Sequence, residues 1–468
     1  MLRPTLGALS FILSLGGLVA QNVSEIYLEN CAGCHGPDLR GGSGPNLIDD
    51  TWIHGDDDES VTRAISSGQP EQEMPAFKET LGSAKIRTLV VYLHEQRARA
   101  KHQPAMAEGP SNRQIYRSRE HAFQMEIIAE NLDEPWSINW LPDGRMLVTE
   151  KSGQLRLITN NQLDPQPING IPAVYNRGQG GLMEVMPHPN YSENGWIYLA
   201  YSDPAINEDG DEVSMTKIVR GRIRGHRWVE QEPIWQAPPN TYRNGGPHYG
   251  CRLAFDREGY LFFTLGERGQ QEKAQDLALP NGKIYRIHDD GRIPKDNPFA
   301  QTNGAIPSIW SYGHRNPQGL VFEPKTGLLW ETEHGPRGGD ELNLIRPGAN
   351  YGWPIITYGI NYNGTPITAS TSQEGLEQPI VHWTPSPAVC GIDFYTGLKF
   401  PRWNGNLFVT ALAGQHLRRL VVDSGHVIDQ EVLLQDIGRV RDVASGPDGM
   451  LYLVLNRPGK VVRLVPLE

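Results

Sequence analysis

Leu141-Pro142-Asp143-Gly144-Arg145-Met146-Leu147-Val148-Thr149 reads as a tight turn opening into an apolar strand, and Ser445-Gly446-Pro447-Asp448-Gly449-Met450-Leu451-Tyr452-Leu453 repeats it near the other end of the chain. In such a turn Asp hydrogen-bonds its own backbone and Gly supplies the positive φ that reverses the chain. Looser copies lie at Pro189-Asn190-Tyr191 into Trp196-Ile197-Tyr198-Leu199, at Phe255-Asp256-Arg257-Glu258-Gly259-Tyr260-Leu261-Phe262, at Glu323-Pro324-Lys325-Thr326-Gly327-Leu328-Leu329 and at Phe400-Pro401-Arg402-Trp403-Asn404-Gly405-Asn406-Leu407-Phe408-Val409. Irregular spacing with long inserts argues against a solenoid, whereas a propeller lets its loops vary from blade to blade. Six copies therefore predict a mainly β chain whose residues 120–468 form a six-bladed β-propeller. A pair of sandwich sheets is the competing architecture, but it would not explain a recurring turn-plus-strand unit.

The 468 residues exceed one ordinary domain. With 51 Gly and 36 Pro, the composition is that of turn-rich β structure. A net charge of −11 leaves no basic stripe to neutralise phosphates, so nucleic acid is not expected as a partner.

Upstream, Cys31-Ala32-Gly33-Cys34-His35 has the spacing of c-type haem attachment, in which the thiols of Cys31 and Cys34 add to the vinyl groups and His35 becomes the proximal iron ligand. A redox dithiol or half a zinc site is the alternative, but no second cysteine pair and no βαβ pattern accompany it. Met74, in Glu73-Met74-Pro75-Ala76-Phe77, is the candidate sixth ligand: a thioether raises the haem potential, and Pro75 disfavours a helix interior. His54 is its rival, and Met106 lies in a polar stretch beyond. Glu25-Ile26-Tyr27-Leu28 and Ile86 to Leu93 read as helices at the two ends. The span 21–97 resembles a class I cytochrome c, which implies a small all-α domain wrapped around haem c. The run Asp56-Asp57-Asp58-Glu59 reads as a solvated loop or helix start, with docking to a basic partner as the alternative.

Residues 1–20, with Arg3 ahead of the apolar run Leu6 to Ala20, read as a secretory signal peptide that is short for a spanning helix. The expectation is a periplasmic or secreted protein with no stable membrane span in its mature form. Residues 98–119, with little apolar content, read as a flexible linker. Cys251 and Cys390 remain, and in an oxidising compartment they could pair or stay as buried thiols.

Loops between the propeller strands are dense in Gly, His, Arg, Asn and Asp, and loops at one face of a propeller commonly carry the site. They are Gly178-Gln179-Gly180-Gly181-Leu182, Pro247-His248-Tyr249-Gly250-Cys251-Arg252-Leu253, Gly313-His314-Arg315-Asn316-Pro317-Gln318-Gly319-Leu320 and His334-Gly335-Pro336-Arg337-Gly338-Gly339-Asp340-Glu341. Together with Asn350-Tyr351-Gly352-Trp353-Pro354 and Arg439-Val440-Arg441-Asp442 they closely resemble the soluble quinoprotein glucose and aldose sugar dehydrogenases, over about residues 125–466. That resemblance implies pyrroloquinoline quinone and calcium as cofactors. It implies His248 as general base, Gln179 near substrate and quinone, Arg315 and Asn316 on the quinone oxygens, and Arg439 and Arg441 on its carboxylates. It also implies Gly335 and Pro336 carbonyls as active-site calcium ligands, Glu341 and Tyr351 at a structural calcium, and Trp383 as a sugar-stacking ring. Where some members place a cofactor-binding lysine, this chain has Ala413.

Residue chemistry agrees. Forked guanidinium donors suit carboxylates, calcium takes carbonyl oxygens and polarises a quinone, and histidine removes a hydroxyl proton near neutral pH. The expected function is oxidation of an aldose at C1 to the lactone, with electrons passing singly to the fused haem and on to a downstream redox protein or respiratory acceptor. A non-catalytic sugar-binding propeller tethered to a cytochrome is the alternative. Nicotinamide is disfavoured, because no G-x-G-x-x-G run joins a strand to a helix.

Overall fold

The computed structural model describes residues 22–101 and 114–467. The expected signal peptide, Met106 and the middle of the expected linker lie outside the described residues. From Ala122 onward the chain forms six sheets. Their innermost strands, Pro135–Trp140, Leu182–Pro187, Leu253–Phe255, Pro317–Phe322, Val389–Phe394 and Arg439–Ser445, neighbour one another in a ring. Every turn copy read from the sequence connects an innermost strand to the second strand of its blade, so the six copies are the six blades.

Second strands such as Met146–Glu150, Leu261–Leu265, Leu329–Glu333 and Leu407–Ala411 are buried along their whole length. A strand covered on both faces loses the apolar–polar alternation of a half-exposed one. Ala122–Ala129 pairs antiparallel with Lys460–Pro466, so the propeller's first strand completes its last blade and closes the ring. Five of the six innermost strands have register shifts near their first residues, at Pro135/Ile138, Leu182/Glu184, Pro317/Gly319, Val389/Ile392 and Val440/Asp442. Bulges re-aim side chains, and these all occur at the face where the candidate loops enter.

The N-terminal module, the expected haem module, is helical and loop-rich, with α1 (Val23–Asn30), α2 (Ala32–His35), α3 (Asp58–Ser67), α4 (Lys78–Lys101) and a 3-10 turn at Pro70–Gln72. Asn22 and Glu25 form a capping box on α1, and Asp57 caps α3. Ile26, Val61, Ile86, Leu89, Val90 and Leu93 make its core. Regular structure reaches into both ends of the expected linker: α4 continues to Lys101, and Ile115–Arg117 adds a fifth strand to the last blade. No helix among the described residues is long and apolar enough to cross a membrane. Cys251 and Cys390 are buried free thiols in separate blades.

Candidate active site and haem pocket

His248 stands just ahead of an innermost strand, in a left-handed backbone conformation (φ +53°). Oε1 of Gln179 accepts its backbone N–H at 2.8 Å, and its Nδ1 is hydrogen-bonded to the buried Glu267 carboxylate. The carboxylate favours the tautomer protonated at Nδ1, leaving Nε2 as a proton acceptor. Burial lowers the His248 pKa below its ordinary value; the Glu267 hydrogen bond opposes this and Arg315 adds to it. The imidazole is thus a neutral base near pH 7.

The Arg315 backbone N–H donates to Glu333 at 2.5 Å, while its guanidinium donates to the carbonyls of His334 at 2.8 Å and Gly335 at 2.6 Å. Asn316 Oδ1 accepts from Gly250 N–H at 3.2 Å and the Gln318 amide at 3.3 Å, and its Nδ2 lies 3.4 Å from His334 Nδ1. Burial holds His334 well below its usual pKa. Arg441 donates to Gln318 Oε1 at 3.0 Å and meets Cys390 Sγ at 3.3 Å. Arg439, two residues earlier, reaches the Leu412 carbonyl at 3.4 Å. Below them Arg252 joins Glu184 at 2.9 Å and Asp442 at 2.8 Å, a buried strut under the site.

Three buried nitrogens in this group, Arg315 Nε, His334 Nε2 and Arg441 Nε, have no hydrogen-bond partner. Unmet buried polar groups are costly, so a set of them marks a place where a ligand supplies the missing partners. Two arginines and an imidazole suit a flat polyanion bearing carboxylates, and pyrroloquinoline quinone fits that description.

Beside them, His334, Gly335, Pro336, Asp340, Ser386 and Ala413 line a cavity of about 680 Å³. Asp340 pins this loop by accepting Gly335 N–H at 3.0 Å and Val389 N–H at 2.9 Å, and burial pushes its pKa up to about 6. Only glycine fits at 335, because a Cβ there would stand 1.9 Å from the Gly339 carbonyl oxygen. The Gly335 carbonyl accepts from Arg315, and the Pro336 carbonyl from Ser386 Oγ at 3.0 Å. Each keeps a second lone pair, so both suit a hard cation.

A second candidate cation site lies in the blade itself. Glu331 and Glu333 alternate onto one side of a buried strand, and Glu341 lies opposite Glu333 on the next. Asn343 Nδ2 reaches the three carboxylates at 3.1, 3.3 and 3.3 Å, and ligand atoms of His314, Glu331 and Glu333 lie within 4.8 Å of one another. Burial, then repulsion from Glu333, pushes Glu331 and Glu341 well above the carboxylate range. This donor set fits calcium.

In the haem module, Cys31, Cys34, His35 and Met74 line one cavity of about 370 Å³ with Tyr27, Leu89 and Leu93. His35 Nδ1 lies 2.9 Å from the Pro45 carbonyl, which favours the tautomer with Nε2 free for iron. Met74 is placed by a two-way backbone bridge with Gln69. The bridge needs glycine at 68, where φ is +69° and a Cβ would stand 2.5 Å from the Pro75 backbone. His54 also borders the cavity, with Nε2 3.2 Å from Gln72 Oε1.

The structure thus gathers Gln179, His248, Arg315, Asn316, Arg439 and Arg441 at one face and corrects one expectation. Trp383 does not present a stacking face: it is 8% exposed, its ring belongs to the core with Trp330 and Leu342, and its Nε1 lies 3.4 Å from Gln430 Oε1. Its position on an outermost strand turns it into the blade. The Tyr351 hydroxyl donates to the Leu344 carbonyl at 2.6 Å while its ring stacks on His314 at 4.5 Å, which sets the residue beside the acidic cluster. Sequence reading missed Glu267, Glu331 and Glu333. The last two carry a usable signal: paired acids at i and i+2 in an otherwise buried strand.

Comparison with known proteins agrees with this geometry. The Glucose / Sorbosone dehydrogenase family matches residues 132–463, and the cbb3-type cytochrome c oxidase subunit III family matches residues 19–93. The aldose sugar dehydrogenase YliI of Escherichia coli is 40% identical over 349 residues, 73% of this chain and 92% of that protein. A crystal structure of a glucose dehydrogenase superposes with TM-score 0.69 at 43% identity, covering 73% of this chain and 99% of that one. The PQQ-bound aldose sugar dehydrogenase of Streptomyces coelicolor superposes with TM-score 0.60 at 25% identity, covering 76% of this chain and 100% of that one. With its match running through all six blades, the chain belongs to the Glucose / Sorbosone dehydrogenase family and carries a cytochrome c module ahead of the propeller.

Proposed function

We propose that this protein is an exported, periplasmic or secreted, quinohaemoprotein that oxidises an aldose at C1 to the lactone and passes the electrons to its own haem. The observation that carries the reading is the His248–Glu267 pair set beside the unpartnered nitrogens of Arg315, His334 and Arg441. Relatives named as aldose sugar dehydrogenases, one of them PQQ-bound, support it.

Arg439 and Arg441 would hold the quinone's carboxylates, Arg315 and Asn316 its oxygens, and the Gly335 and Pro336 carbonyls would hold calcium. When bound, these groups supply the redox chemistry: a quinone polarised by calcium to accept hydride, and a haem iron that accepts one electron at a time. His248 Nε2 takes the C1 hydroxyl proton as the C1 hydrogen leaves with its electron pair, and Glu267 stabilises the imidazolium that results. Gln179 fixes the His248 backbone. Glu331, Glu333 and Glu341 would hold a second calcium.

The test is reconstitution. Protein stripped by chelation and dialysis should show sugar-driven haem reduction only after both quinone and calcium are restored. Full activity in thoroughly stripped protein would contradict the assignment.

A further inference from the structure

Helix α4 carries an apolar side chain that its own module does not use. Val91 is 0% exposed, yet the haem module's core takes Ile86, Leu89, Val90 and Leu93 from that helix. Its methyls instead meet propeller backbone: a Cβ on Gly338 would stand 3.1 and 3.2 Å from them. Arg87 and Glu95, four residues to either side, share that helix face. Arg87 donates to the Tyr358 carbonyl at 2.6 Å and to Thr384 Oγ1 at 3.0 Å. Glu95 accepts a forked pair from Arg337, Nε to Oε1 at 2.9 Å and Nη2 to Oε2 at 2.5 Å, and both side chains are largely buried.

Asp58, at the start of α3, completes the contact. Its carboxylate is hydrogen-bonded to Arg87, accepts from Thr384 Oγ1 at 3.0 Å, and lies 3.2 Å from His382 Nε2 and 3.1 Å from His94 Nε2. Three propeller segments therefore answer one helix stripe with matching shape and charge. Freed from the propeller, that stripe would leave Val91 in water and Glu95 without its arginine.

We propose that the stripe Arg87, Val91 and Glu95 is a docking surface for the chain's own propeller, holding the haem module in one orientation with Asp58 as its positioning residue. The orientation has a functional consequence that rests on the reading above. Trp52, on the haem-cavity wall, stacks on His94 with centroids 6.0 Å apart, and His382 stacks on Tyr358 at 3.7 Å. Asp58 joins these two ring pairs, so the contact is a short bridge from haem pocket to propeller rim. The docked module also walls the active-site cavity, through Tyr92, Gln96 and Arg99.

The test uses the full haem-loaded chain without quinone. By small-angle scattering the wild type should have a radius of gyration near about 23 Å, the value for one compact body of this length. Val91→Glu and Glu95→Arg, neither in the module's own core, should each expand it by several ångström while the haem spectrum stays unchanged. Arg63→Glu, on a side chain 62% exposed, should leave it compact. In quinone-loaded protein the first two variants should slow sugar-driven haem reduction about tenfold or more, as effective concentration falls, while Arg63→Glu reduces both the haem and a small soluble dye at the wild-type rate. Unchanged scattering in both variants would overturn the docking proposal. Failure of the wild type to reduce the dye with sugar would overturn the proposed activity and leave the scattering result standing.

Discussion

The two modules hold their chemistry in opposite ways. The haem module relies on five consecutive residues, Cys31 to His35, plus one loop methionine. The propeller assembles its site from Gln179, His248, Glu267, Arg315, His334 and Arg441, which come from four blades and meet only because the ring closes. A locally encoded site survives changes elsewhere in the fold. A site built by ring closure depends on several blades at once: Arg315 and Arg441 sit at bulged strand ends, over a buried ionic strut.

Damage should therefore stay inside the module where it is made. The largest expected effect is His248→Ala: loss of a positioned base should slow sugar oxidation by about 10² to 10⁴-fold. Quinone titration and the haem spectrum should be unchanged. A variant that no longer binds quinone would make His248 an anchor and place the base elsewhere.

Next is Glu267→Gln, which sharpens the contrast by touching the propeller site at one remove. The wild-type kcat/KM profile should fall only as pH drops through a value below 6.5, because burial lowers the His248 pKa. Glu267 raises that pKa, so its loss should move the acid limb to still lower pH. Misorientation of the ring should reduce the plateau by about 10²-fold, the low end of a base's contribution. An acid limb that moves upward would refute the pairing.

Met74→Ala is the converse experiment in the haem module. Haem should stay attached through Cys31 and Cys34, the methionine-to-iron band in near-infrared spectra should vanish, and the potential should fall. Sugar-driven reduction of a soluble dye should not change. An unaltered iron spectrum would shift the ligand role to His54, which borders the same cavity.

The same contrast explains what was legible beforehand. The turn copies located all six blades, because a turn needs particular residues at particular places. Cys31 to His35 was readable as a motif because attachment chemistry of that kind needs its residues close together in sequence. Glu267 was not: nothing in Gly266-Glu267-Arg268-Gly269 says that it lies under His248, and only the fold brings them together. Trp383 was misread because a motif gives a position but not the direction of a side chain on an outermost strand. The unbroken run Leu89-Val90-Val91 on α4 did carry a clue: an apolar stripe wider than one face implies that two faces are covered. Likewise, of the acidic run Asp56 to Glu59, one residue caps a helix and one meets the propeller. The segment expected to behave as a tether thus joins modules that already touch.

The central claim is that haem and propeller work as one intramolecular electron-transfer unit. In a stopped-flow dilution series on protein loaded with quinone and calcium, haem reduction by sugar should follow a first-order rate constant that does not change with protein concentration. A rate constant that falls in proportion to dilution would mean that electrons pass between molecules, and would contradict the account.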